Sequence, residues 1–426
     1  MDERAVLPGT TGRSLIVMRE GTVRATVEAV SNVAGMTVVS ASELDAPANP
    51  HPEGADAVVF AELGVMVAEA PPDQLAAVGA MAASGEGGVL AVEPERIVYA
   101  MAAGWPGEAL PGAVGDYLRG YRDAVNHLAE RLLLPEETPP PDETELTWGL
   151  QATNVAASQY TGRGVRVAVL DTGLDLDHPD FAGRAITAES FVAGEEVQDG
   201  HGHGTHVIGT ACGPQQPGVL PRYGVASEAE IFAGKVLNNR GSGTDGEILA
   251  GIQWAMQNGC AIVSMSLGAT VLPGDPYSTV FELAAQRALA RGTLIVAAAG
   301  NDSARPASIQ PVSHPANCPS IMAVGALDPE LLVASFSNGG INPEGGDLDI
   351  AAPGVDVRSS WPRPILYRTI NGTSMATPHV AGIAGLFAEA NPATRGRDLW
   401  DLVVRGVRSL PAPPRDVGAG LVQAPT

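Results

Sequence analysis

An α/β fold, a doubly wound parallel sheet sandwiched by helices, is predicted for this chain of 426 residues, with a small α+β layer ahead of it. Three observations predict it. From Trp148 onward, short β-branched apolar runs alternate with helical ones, the pattern of a parallel sheet covered on both faces. Residues 13–100 follow a separate β-α-β-α-β rhythm with short links. An acidic, proline-rich stretch separates the two.

In chain order, residues 14–18 read as a strand and 23–33 as a helix. Residues 57–70 alternate apolar and polar through one long β segment. Pro71-Pro-Asp-Gln opens an alanine-rich helix to about residue 83, and 89–100 return as a strand. This order predicts a ferredoxin-like α+β domain, antiparallel strands under helices, over residues 1–110. In residues 111–146, Val114, Tyr117, Leu118, Tyr121, Val125, Leu128 and Leu132 fall at helical spacing. Residues 135–145 then carry Pro139-Pro-Pro141 among five carboxylates without apolar periodicity, the mark of a solvated linker and a candidate cleavage zone. In residues 147–426, strands are predicted at 165–170, 231–237, 261–267, 293–299 and 321–327, with helices at 244–258 and 279–291. Ligands of such folds bind beyond the carboxyl ends of the strands, which gathers Asp171, Ser266-Leu-Gly268 and Asn301 at one edge.

Charged residues make up 17% and hydrophobic ones 45%, a globular composition. A formal net charge of −23 argues against nucleic acid and anionic membranes as partners. No apolar run reaches the ~18 residues of a membrane span. The N-terminus shows no basic stretch followed by an apolar one, so a cytoplasmic location is expected unless a leader is missing from the sequence. Cys212, Cys260 and Cys318 read as small core residues, and nothing supports a Cys212–Cys318 bridge. Lys235 is the only lysine among 25 basic residues, a bias that reflects composition rather than chemistry.

Three motifs carry chemistry. Gly372-Thr-Ser-Met-Ala-Thr-Pro378 puts Ser374 at the mouth of a helix, among free N–H groups at the positive end of the dipole, with Pro378 expected in the first turn. Residues 165–173 end a buried strand in Asp171-Thr-Gly, and 202–210 place His203 where a helix begins. Alone, each has a plain structural explanation: a turn, a helix cap, a packed helix. Together they stand in the order Asp…His…Ser, one of the chain orders of the serine triad.

On these motifs the chain resembles the subtilisin-like (subtilase) serine proteases over residues 147–425. The resemblance implies an endopeptidase acting through an acyl-enzyme, with Ser374 as nucleophile, His203 as base, Asp171 orienting the imidazole and Asn301 donating to the oxyanion. It makes His206 structural and leaves His201 exposed. Two groove edges, Gly241-Ser242-Gly243 and Ser266-Leu267-Gly268, are expected to pair with an extended peptide. Asp302 near the S1 rim and Asp245 near the S4 wall suggest a preference for basic side chains, and Ser313 is expected at the S1 floor. No cofactor is expected for catalysis. Asp180 matches a calcium-ligand position of the family, but loop 213–223 departs from the family's asparagine-bearing pattern. Calcium needs six to eight oxygens, so the metal ligands stay unassigned. The implied partners are a protein or peptide substrate and the chain's own N-terminal domain, an inhibitory propeptide cut after Leu146 or Leu134. A peptide-maturation protease or transpeptidase with one dedicated substrate would use the same residues, and a binding-only pseudoprotease would not need them intact.

Overall fold

The computed structural model describes residues 9–43, 54–101 and 142–426. The helix expected at 112–134, most of the linker and Leu134 lie outside them.

The N-terminal layer runs β1 (Thr10–Met18), α1 (Val23–Ala34), β2 (Val38–Ser40), β3 (Ala57–Phe60), β4 (Val65–Ala68), α2 (Pro72–Ser84) and β5 (Val89–Ala100). The long strand expected over 57–70 is instead a hairpin. The chain turns at residues 61–64, where the Gly64 N–H returns to the Ala61 carbonyl, so β3 and β4 pair antiparallel. The sheet order is β5-β1-β4-β3-β2; the first four are antiparallel neighbours, with β2 added parallel to β3. This is the topology predicted for a ferredoxin-like layer. Side-chain alternation gives its sheet two apolar faces. Ile16, Met18, Val59 and Met66 pack with α1 and α2, while Leu15, Val17, Val58, Phe60, Val65 and Val67 join a core shared with the larger body.

The larger body begins with α3 (Trp148–Ala152), β6 (Arg166–Asp171), β7 (Ile186–Ser190), α4 (His203–Cys212), β8 (Glu230–Lys235), β9 (Ser242–Thr244) and α5 (Asp245–Gln257). It continues through β10 (Ile262–Met265), β11 (Leu267–Gly268), α6 (Thr279–Ala290), β12 (Leu294–Ala298), β13 (Met322–Leu327) and β14 (Ile350–Pro353). The hairpin β15 (Val357–Trp361) and β16 (Leu366–Ile370), then α7 (Thr373–Ala390) and α8 (Gly396–Arg405), complete it. Seven parallel strands lie in the order β14-β13-β12-β10-β6-β8-β7. Strand order therefore reverses at β6, and Asp171 ends that strand.

Alternation along the strands divides the core. Val167 and Val169 of β6 face the cluster that holds α4 and α7, and Ala168 and Leu170 face the one that holds α5 and α6. Continuous apolar runs are what a sheet buried on both faces requires. Two N-terminal carboxylates dock the smaller layer onto the larger body's helices. Glu93 accepts from the Thr279 N–H (2.7 Å) and Ser278 hydroxyl (2.7 Å) at the start of α6. Glu95 accepts from the Gly246 N–H (3.0 Å) at the start of α5. Both sit where a helix dipole favours negative charge.

Candidate active site

The nucleophile candidate sits on a backbone only glycine tolerates. Gly372 has φ +152°, and the chain turns there directly into α7, with Ser374 its second residue. Pro378 is not in the first turn as expected but inside the helix. Its missing N–H leaves the Ser374 carbonyl without a helical donor, and the Ser266 hydroxyl supplies one at 2.8 Å. The Ser374 hydroxyl in turn donates to the Ser266 carbonyl at 3.0 Å. The groove edge and the nucleophile's helix are thus locked reciprocally.

His203 opens α4 and is fully buried. Its Nδ1 lies 2.7 Å from Asp171 Oδ1. A carboxylate only accepts, so Nδ1 carries the hydrogen and Nε2 presents its lone pair. Among the described residues Nε2 has no partner, the state a base needs before it takes a proton. Asp171 Oδ1 also accepts from the Thr172 N–H at 2.8 Å.

Sequence reasoning missed what aims this helix. Buried Asp199 accepts from the N–H groups of His201, Gly202 and Thr205 and from the hydroxyls of Thr172 and Thr205. The Thr172 hydroxyl accepts from the Gly204 N–H. Lys235 is no compositional accident: fully buried, its ammonium donates to the Thr172 carbonyl at 2.7 Å and pairs with Glu195 at 3.3 Å. The Asp-Gly turn at 199–200 was the available signal for Asp199.

The other histidines divide differently from expectation. His206 is structural: its Nε2 donates to the carbonyls of Val357 and Arg368, and burial drives its pKa down to about 3. His201, expected exposed, is half-buried with its ring 6.2 Å from that of His203, and burial followed by that neighbour lowers its pKa.

Asn301 follows β12. Its Oδ1 accepts from the Thr373 N–H (2.9 Å) and hydroxyl (3.0 Å), which fixes the amide so that Nδ2 points outward. That Nδ2 donates to the carbonyl of Met101 at 2.7 Å. The N-terminal layer therefore reaches the site. The end of β5 lies between β9 and β11, antiparallel to both, pairing Val98 with Gly243, Tyr99 with Ser242 and Gly268, and Ala100 with Leu267. The Ala100 N–H donates to the Gly241 carbonyl (2.9 Å), and the Met101 N–H to that of Ser266 (3.2 Å). All six expected groove residues line this strand. Gly268 must be glycine, since a Cβ there would fall 2.4 Å from Met101 Cε and 2.5 Å from the His314 carbonyl.

The acids expected to favour basic substrates are already engaged. Asp245 is fully buried, accepting from His314 Nε2 (2.9 Å) and from the Arg96 backbone N–H (3.0 Å). Asp302 accepts from Asn338 Nδ2 at 3.1 Å, and buried Ser313 faces both residues.

The surroundings of Asp180 do not fit a cation. Its carboxylate accepts from the Tyr223 hydroxyl (2.6 Å), the Gly218 N–H (2.8 Å) and the Tyr367 hydroxyl (3.2 Å). Burial, then the facing carboxylate, raises the pKa of Tyr223 far above the ordinary phenol range and that of Tyr367 up to about 12, so both stay donors. Calcium demands oxygen lone pairs where this cage presents hydrogens. Among the described residues no cluster of three or more His, Cys, Asp or Glu could hold a metal.

Comparison with known proteins agrees with this geometry. Residues 162–420 match the model of the Subtilase family. Subtilisin DY of Bacillus licheniformis is 43% identical over 245 residues, 57% of this chain and 83% of that protein. Subtilisin Savinase of Lederbergia lenta is 45% identical over 251 residues, 58% of this chain and 85% of its own. Among solved structures, Sphericase aligns with a TM-score of 0.57 at 32% identity, covering 66% of this chain and 98% of its own. With the family match spanning most of the larger body and the three motifs at one edge of its sheet, the chain belongs to the subtilase family and is a subtilisin-like serine endopeptidase.

Proposed function

We propose that this protease cuts peptide bonds through an acyl-enzyme on Ser374 and is made as a zymogen whose own N-terminal layer blocks the groove. What carries the reading is the Asn301 amide, 2.7 Å from the carbonyl of a strand paired into both groove edges. A substrate strand adds to β9 and β11 in the same way, through main-chain hydrogen bonds. The Ser374 hydroxyl leaves the Ser266 carbonyl for His203 Nε2 and attacks as the imidazole takes its proton. Asp171 holds the ring in the required tautomer and stabilises the imidazolium. Asn301 Nδ2 and the N–H of Ser374 receive the oxyanion, at the N-terminus of α7 where negative charge is favoured. The reaction uses no cofactor, and the cage at Asp180 supports a body that is stable without calcium there.

The test is Ser374→Ala in the full chain. Hydrolysis of casein should fall by about a million-fold, a figure known for subtilisin, a relative, and not one worked from this structure. A fluorophosphonate should label wild type and not the variant. Casein cleavage by the variant within about tenfold of wild type would mean that another residue attacks.

A further inference from the structure

We infer that the enzyme cuts its own chain at the peptide bond following Met101, and that Val98–Met101 display its side-chain preference. The inference rests on the protease reading above and gives it a bond and a specificity. It differs from a cut near the acidic linker. Leu146 is bridged to Arg222, with the flanking Thr147 N–H donating to the Arg222 carbonyl (3.0 Å), and it packs against the main core rather than in the groove.

Three observations place Met101 at the point of attack. Main-chain pairing into both edges continues to Met101. The carbonyl that meets Asn301 Nδ2 is that of Met101. One oxygen, the Ser266 carbonyl, accepts from both the Met101 N–H (3.2 Å) and the Ser374 hydroxyl (3.0 Å), which brings nucleophile and acyl residue to a common anchor.

The side chains then read as a specificity. Met101 lies against Gly268, so the pocket ahead of the cut takes an unbranched apolar chain. Val98 is fully buried, in the cluster that holds Leu237, Ile248 and Leu267, so three positions earlier a β-branched apolar residue fits. Tyr99 is 53% exposed, and its position discriminates little.

In the cut, the bond from Ser374 Oγ to the Met101 carbonyl carbon forms while His203 takes the hydroxyl proton. The bond to the Ala102 nitrogen breaks as that proton passes to the departing amine. Water then adds to the ester, giving a proton to His203. Collapse frees the Met101 carboxylate and returns the proton to Ser374.

The experiment follows full-length wild type, Ser374→Ala, Met101→Asp and Leu134→Asp by intact mass and N-terminal sequencing at early times, with casein hydrolysis measured alongside. Wild type and Leu134→Asp should yield fragments 1–101 and 102–426, the latter beginning Ala-Ala-Gly-Trp, and Ser374→Ala should stay whole. Met101→Asp should slow that first cut by more than about tenfold, a buried charge being rejected by an apolar pocket. Because Met101→Asp could also disturb folding, wild-type enzyme is given the peptide of residues 96–106 and the same peptide carrying Met101→Asp. Cleavage of the first after its methionine, with the substituted peptide resisting, supports the assignment. Casein hydrolysis together with a first new N-terminus anywhere but Ala102 overturns it and leaves the protease reading standing. Wild type that neither cuts casein nor takes a fluorophosphonate overturns both.

Discussion

Removing the carboxylate of Asp180 should destabilise the protein by an amount that calcium does not change. Asp180→Ala strands the Tyr223 hydroxyl, which is 1% exposed, without its 2.6 Å acceptor. A buried unsatisfied group costs about 1–3 kcal/mol. The bonds from Gly218 and Tyr367, nearer the surface, add about 1 kcal/mol each, for a total of about 3–5 kcal/mol. Tyr223→Phe removes one donor and leaves two, and should cost about 1–2 kcal/mol. Guanidinium unfolding in a Ser374→Ala background avoids self-digestion, and each variant is compared with its parent in excess calcium and in chelator. The two losses should agree between conditions. If Asp180→Ala lost its several kcal/mol in calcium and almost nothing in chelator, a cation would be the carboxylate's partner and the tyrosine cage would be the wrong account.

Asn301→Ala should lower kcat by about 10²–10³ with little change in KM, since the amide's interaction grows as charge develops; the magnitude is that known for the same donor in subtilisin and is not worked from this chain. A sharp rise in KM at constant kcat would make Asn301 a ground-state binder. Asp349 is held protonated by burial, its pKa up at about 7, while its Oδ2 accepts from the Ala323 N–H. A carboxyl raised above its unfolded value of about 3.9 stabilises fully below that value, and its contribution is lost as pH climbs toward 7, by up to about 1.4 kcal/mol per unit. Asp349→Asn should therefore match wild type near pH 4 and exceed it near pH 8; a difference independent of pH would refute this. Residues 1–101 made alone should show weak near-ultraviolet circular dichroism, and a sharp, native-like spectrum would mean that the layer does not need its second core.

The residues of the chemistry were legible because their motifs are local: an acid ending a strand, a histidine opening a helix, a serine after a strained glycine. The doubly wound sheet was legible from the alternation of apolar runs. What escaped depends on partners far along the chain. Tyr223 and Tyr367 reach Asp180 from a loop and a hairpin that share no spacing with it. Asp199 acts through five donors, four of them supplied by its own turn and α4, which no composition reveals. The hairpin at 61–64 was hidden because its two strands are both continuous apolar runs. Pro378 was misplaced by one turn because the acceptor it frees is satisfied from Ser266, 108 residues away. Strand β5 was recognised as a strand, but its period says nothing of what it pairs with, so its end in the groove emerges only in the fold.

The second apolar face of the N-terminal sheet ties the layer's release to its survival. Leu15, Val17, Val58, Phe60, Val65 and Val67 are all buried against the neighbouring body, none more than 2% exposed. Wetting them costs on the order of 10 kcal/mol at about 1.5–3 kcal/mol a side chain. Once the covalent tether is gone, the layer can leave only by giving up half of what holds it folded, so departure and melting become a single event. A melted fragment is itself an extended chain of the kind the groove accepts, and each copy destroyed frees an enzyme that destroys others. The brake is single-use, and its loss spreads through the population like a fuse.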